Sequence, residues 1–212
     1  MINQIISQEA KWQRRKESRP AEIIEAALEL FVANGFKATK LDDVAKQAGV
    51  SKGTVYLYFE SKEALFREVV SQIIVPELVK AEQLANSFQG TQAELLTTMV
   101  FQWWNMIGKT RLAGIPKLMI SEAANFPELA RFYLDEVISR GRKLISASIK
   151  KGIASGEFKK CNPVTATRLL ISPVIFAVIW KKSLAPFDKE DYDEDAYISM
   201  HLEFFLNSLK NG

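Results

Sequence analysis

Two short helical patterns meet at a single glycine in LDDVAKQAGVSKGTVYLYFESKEALF, residues 41–66, and that joint constrains the chain more than any other feature. Before Gly49, Leu41, Val44, Ala45 and Ala48 fall on one stripe; after it, Val55 and Phe59 stand four apart on another. An isolated helix shorter than about 12 residues is marginal in water because nucleation is costly. Both helices must therefore be held by neighbours. Ala45 lets them approach closely, and Gly49 admits the positive φ that redirects the backbone. With Val50, Val55 and Phe59 turned inward, the second helix keeps Lys52, Gly53, Thr54, Tyr56, Leu57 and Tyr58 outside.

Apolar spacing is helical along nearly the whole chain and no alternating run suggests a sheet, so the fold class is all-α. A first helix over about 20–34 starts at Ser18 and Pro20, carries Ile24, Ala27, Leu28 and Phe31 on one stripe, and stops at Asn34-Gly35. Thr39 as N-cap, with Asp42 three residues on, starts the second helix. Ser51 caps the third, and Ser61 a long fourth from Lys62 to about Ala85, kinked at Pro76. After the turn-rich NSFQGT at 86–91, helices are expected over about 92–109, 114–124, 127–154, 163–182 and 193–210.

A chain of 212 residues, 48% apolar, has room for one small module and a larger body with its own core. Its longest apolar run, LLISPVIFAVIW at 169–180, is shorter than the roughly 18 residues a membrane span requires and holds Ser172 and Pro173, so the protein should be soluble. No apolar stretch precedes a small-residue cleavage site at the N-terminus, and the lone Cys161 suits a reducing cytoplasm. There is one histidine, His201, and no nucleophile, metal or phosphate-loop motif. An enzyme is not expected, and neither a cofactor nor a metal is implied. The acidic run DKEDYDED at 188–195 reads as a solvated loop whose carboxylates favour the start of the last helix.

The net charge is +3, and the first 19 residues account for all of it: Lys11, Arg14, Arg15, Lys16 and Arg19 stand against Glu9 and Glu17. Such an arm reads as a mobile basic tail able to lie along phosphates. The outer side of residues 52–58 suits the same partner. This is the helix-turn-helix arrangement, in which the second helix enters the major groove of DNA and the first crosses the backbone. Helix N-termini at Thr39 and Ser51 offer free amides to phosphates. Gly53 permits close approach, Lys52 and Thr54 reach bases or phosphates, and the Tyr56 and Tyr58 hydroxyls can donate to phosphate, beside Leu57. Lys40 and Lys62 are further phosphate candidates.

The stretch AALELFVANGFKATKLDDVAKQAGVSKGTVYLYFESKEALF closely resembles the N-terminal DNA-binding domain of the TetR/AcrR family of bacterial transcriptional regulators, over about residues 22–70. The pattern departs at Lys40, where a second threonine is frequent, and at Tyr58, where many members carry histidine. The resemblance implies three parts: a basic flexible arm at 1–19, a helix-turn-helix domain at 20–66 with the motif at about 40–59, and a helical effector-binding and dimerisation domain at 67–212. It also implies a homodimer on double-stranded DNA, in the bacterial cytoplasm and at the nucleoid when bound. Two reading helices would then engage half-sites of a palindromic operator about 34 Å apart, or a multiple of that.

The larger body carries no motif of comparable specificity. Residues 163–180 are apolar almost all round, and Leu169 and Val174, with Ile198, Leu202, Phe205 and Leu209 of the last helix, are candidates for an intermolecular four-helix bundle. The alternative is that these side chains fill the chain's own core. Met99, Trp103, Trp104, Ile107, Met119, Glu122, Phe126 and Phe176 are candidate walls of a pocket for a small apolar or aromatic effector, or again plain core. The expected function is a ligand-responsive repressor. The alternative is a DNA-bound adaptor of the same fold that recruits a protein partner.

Overall fold

The computed structural model describes residues 2–190 and 193–210, with side chains from residue 18 onward. Among the described residues there are helices and no strand; a lone bridge pairs Phe158 with Lys210. The chain divides into two compact units, Met1–Gln72 and Ile73–Gly212.

The first unit contains α1 (Ile2–Asn34), α2 (Leu41–Gln47), α3 (Lys52–Tyr58) and α4 (Lys62–Val69). Helix α1 packs against α2 and α4, and α2 against α3. Phe31, Phe36 and Phe66 form the centre, with ring centroids 5.3, 5.5 and 5.7 Å apart and two of the three pairs edge-to-face. The sequence predicts α1 from residue 20 behind a flexible arm, but the backbone is helical from Ile2 with Pro20 inside the helix. Pro20 removes one donor from the ladder, yet its fixed φ is itself helical and does not end the element. Ser18, read as a start signal, donates its hydroxyl to Glu22 at 2.9 Å instead. The side chains of Lys11, Arg14, Arg15 and Lys16 lie outside the described residues.

Residues 62–87 stay helical but change register. After α4 comes a π turn, Val70–Ile74, and then α5 (Val75–Ser87), with Pro76 in its first turn. A proline ring clashes with the carbonyl one turn back, and the wider turn just before it absorbs that conflict where the sequence suggests a kink.

The second unit continues with α6 (Gln92–Trp103), α7 (Gly114–Glu122), α8 (Pro127–Tyr133), α9 (Ser139–Ala154), α10 (Pro163–Ser183) and α11 (Glu194–Leu209). Thr91 and Glu94 form a reciprocal capping box at the start of α6. Glu157, in the loop after α9, accepts the Gln92 and Ala93 amides at 2.8 and 2.7 Å. Trp104 is fully buried just beyond α6; its indole donates to Asp195 at 2.8 Å, which ties the first turn of α11 to this point. Lys109 also donates to Asp195, and these two bonds, that from Lys109 first, hold the Asp195 carboxyl below the ordinary carboxylate range. At Gly108 any Cβ would lie 2.1 Å from the Trp104 ring, so only glycine fits.

By length and composition α10 could cross a membrane, although no uninterrupted apolar run in it does. Its apolar character has two origins. Leu170, Val174, Ala177 and Val178 are buried between α10 and its neighbours, whereas Leu169 and Phe176 face outward.

Candidate nucleic-acid interface

The joint between α2 and α3 is built from its backbone. Gly49 has φ +64°, its amide donates to Lys46 at 3.2 Å, and the Val50 amide donates to Ala45 at 2.9 Å. This pair of bonds closes α2 in a Schellman motif, which demands a left-handed residue at Gly49. A Cβ there would touch nothing within 4 Å, so the requirement is φ and not close packing. Ser51 then caps α3, accepting the Thr54 amide at 3.1 Å and lying 2.8 Å from the Thr54 hydroxyl.

Helix α3 is held from one side only. Val55 and Phe59 are buried, Thr54 and Tyr58 are half-buried, and Lys52, Gly53, Tyr56 and Leu57 are exposed, Leu57 to 74%. The nearest atom to a Cβ at Gly53 would be the Ser51 hydroxyl, at 3.8 Å. Lys52 is ion-paired with Asp42 at 2.7 Å across the joint, and the hydrogen bond to that carboxylate raises its pKa. Asp42 has no periodic relation to Lys52, so no sequence signal marks the pair.

Two of the residues assigned to phosphate contact have other work. The Thr39 hydroxyl donates to the carbonyls of Gly35 and Leu30 at 2.7 and 3.1 Å, and the side chain is 1% exposed. Lys40, exposed and extended at the α2 N-cap, caps nothing with its side chain. Thr39 is therefore neither the N-cap nor an outward group. It ties the loop to α1. The Lys62 ammonium donates to the carbonyls of Phe36, Thr39 and Lys37 at 2.7, 3.0 and 3.1 Å and sits 4.6 Å from the Phe36 ring centroid. A lysine that satisfies three loop carbonyls is a strut for the α1–α2 loop, not a free phosphate ligand.

Residues 23–69 match the family described as bacterial regulatory proteins, tetR family, and residues 94–207 match the AefR-like transcriptional repressor, C-terminal domain. The HTH-type transcriptional regulator YhgD of Bacillus subtilis is 32% identical over 177 residues, 79% of this chain and 87% of its own. The chain belongs to the TetR family. The fatty acid metabolism regulator protein of B. subtilis is 29% identical over 205 residues, 92% of this chain and 99% of that one. The structure of the regulator FadR from B. subtilis in complex with stearoyl-CoA superposes with a TM-score of 0.73 at 22% identity, covering 89% of this chain and 98% of that one.

Within this TetR-family chain, the larger unit buries most of the other candidates, the alternative that the sequence leaves open. Met99 and Trp104 belong to the hydrophobic core, with Trp103 packed against it, and Ile107 and Met119 are buried. Glu122 and Phe126 are half-buried around the turn between α7 and α8, where Glu122 accepts from Asn125 at 3.1 Å. Phe176 is 56% exposed on the outside of α10 and is no pocket wall. None of the eight lines the cleft of about 330 Å³ between α9 and α10. The proposed interface stripe is likewise turned: Val174, Ile198, Leu202, Phe205 and Leu209 are buried in the unit's own core, and of the six only Leu169 is exposed. The outward stripe of α11 is Tyr197, Met200 and Phe204. His201 lies half-buried, with its Nε2 2.9 Å from the Leu170 carbonyl oxygen. Among the described residues no cluster of three or more His, Cys, Asp or Glu could hold a metal.

Proposed function

We propose that this protein is a homodimeric, ligand-responsive repressor whose α3 enters the major groove of a palindromic operator. The observation that carries the reading is the one-sided anchoring of α3. A seven-residue helix fixed by Val55 and Phe59 presents Lys52, Gly53, Tyr56 and Leu57 to the outside. Gly53 leaves room for a phosphate or base edge that a side chain would displace, Lys52 can exchange Asp42 for a phosphate, and Tyr56 supplies a hydroxyl. Thr54, Tyr58, the Ser51 end of α3 and Lys40 complete the surface. The dimer forms through Leu169 and Phe176 of α10 with Tyr197, Met200 and Phe204 of α11, large apolar side chains left exposed on two helices that pack together. Such a protein acts in the bacterial cytoplasm and is not an enzyme.

A long-chain acyl thioester is the effector class to test first, because one relative is a fatty acid metabolism regulator and a similar structure holds stearoyl-CoA. A ligand shifts an equilibrium only through differential affinity, so operator and effector must weaken each other by the same factor. Stearoyl-CoA should therefore bind more weakly to the operator-bound protein than to the free protein, by the factor by which it loosens the operator. Equal affinities would reject ligand-driven release. The packing of Met99 and Trp104 into the core favours the rival reading, an adaptor that recruits a protein to DNA. Operator binding with no response to any acyl thioester would move the weight there.

A further inference from the structure

Residues 139–183 hold ten lysines and arginines against one acid, Glu157, in a chain whose net charge is +3. The apparent neutrality beyond the N-terminal arm therefore hides a strong local asymmetry. Part of this charge is already matched. Arg140 makes two bonds to Glu82, at 3.0 and 2.9 Å, and Lys181 pairs with Glu194. The one acid, Glu157, is taken by the amides of Gln92 and Ala93.

Four cations are left over in one place. Arg142, Lys143 and Lys150 of α9 and Arg168 of α10 line the cleft of about 330 Å³, and among the described residues none of the four enters an ion pair. No acid lines the cleft; its remaining walls are two hydroxyl residues, Ser146 and Thr167, and two apolar ones, Ala147 and Val164. Helical spacing puts residues 142, 143, 146, 147 and 150 on a single face of α9. Like charges gathered in a concavity repel one another and focus a positive potential, and a bound anion relieves both effects. Arginine adds planar, two-pronged recognition of phosphate.

We propose that this cleft binds a small molecule carrying two or more phosphate-type charges. Its concavity is within the ordinary range of small-ligand sites, which favours such a ligand over the flatter surface that duplex DNA or a membrane would need. The site shares no residue with the α3 surface and stands independently of how that surface reads DNA.

The test is calorimetric titration of the full-length protein with pyrophosphate, orthophosphate and a non-operator duplex at fixed low ionic strength, with retention of genomic DNA measured on the same samples. Pyrophosphate should bind saturably at one site per chain and more tightly than orthophosphate. The double substitution Arg142→Gln, Arg168→Gln should weaken it at least tenfold, while Lys189→Gln, an exposed cation outside the cleft, should not. If the double variant melts early, the single exposed changes Lys143→Gln and Lys150→Gln carry the same comparison. Absence of saturable binding, equal weakening by Lys189→Gln, or an effect of the double substitution on the duplex alone would overturn the proposal. Intact DNA retention in that event would leave the regulator reading standing.

Discussion

The two units solve opposite problems with the same element. In the first, the seven-residue helices α2 and α3 have one buried side each, and Lys52, Gly53, Tyr56 and Leu57 of α3 remain exposed. In the second, α10 is apolar on most sides, and burial alone does not use it up: Val174 and Val178 fill the core while Leu169 and Phe176 remain exposed. A one-sided short helix has its inner face dictated by its anchors. A helix apolar all round does not reveal which stripe meets its own chain and which meets another molecule.

Paired substitutions in the second unit sharpen this contrast most strongly. Trp104→Ala should destabilise the protein by about 3–5 kcal/mol, because a large buried ring is removed. Phe204→Ser, at a position 65% exposed, should leave the monomer's melting little changed and shift sedimentation from dimer to monomer. Equal melting losses in the two variants would break the assignment of core and interface stripes.

In the first unit, Lys62→Met should lower stability by about 1.5–3 kcal/mol, since three loop carbonyls lose a charged donor. Unchanged melting with weakened DNA binding would instead return Lys62 to the phosphate contacts. A smaller loss, about 1–2 kcal/mol, is expected for Gly49→Ala, which forces a side chain into φ +64°. Chemical denaturation reads both.

The smallest effect concerns pH. The Asp195 carboxyl titrates below its unfolded value, so its contribution is present above the ordinary carboxylate pKa of about 3.9 and is lost as pH falls through the lower folded value. Wild type should melt above Asp195→Asn near neutrality, and the two curves should converge in acid. A gap that widens in acid would contradict the Lys109 and Trp104 contacts.

Much of the first unit was legible because independent local signals agree. Gly49 marks the left-handed turn, Ser51 and Ser61 cap α3 and α4, and the four-residue spacing of Val55 and Phe59 fixes the inner face. Thr39 and Lys62 depart from the sequence expectation for a shared reason: a hydroxyl or ammonium next to a loop can satisfy that loop's carbonyls, and spacing along the chain carries no record of it. Spacing alone leaves the stripe of α11 open between interface and core because Leu202 and Phe204 are both apolar and only their neighbours in space distinguish them. Pro20 misled in another way, since the backbone accommodates it inside α1, whereas Pro76 follows a π turn, a break in the regular helix at the place where the sequence suggests a kink.

The most direct test of the central claim is footprinting of genomic fragments retained by purified protein at a stated salt concentration, with Gly53→Ala alongside wild type. The free protein has room for the added methyl, so the two should melt alike. Wild type should protect short palindromic sites upstream of genes, and the variant should lose that protection at equal concentration. Identical footprints, or only diffuse binding that salt removes from both proteins, would contradict the assignment of the outer face of α3 as the reading surface.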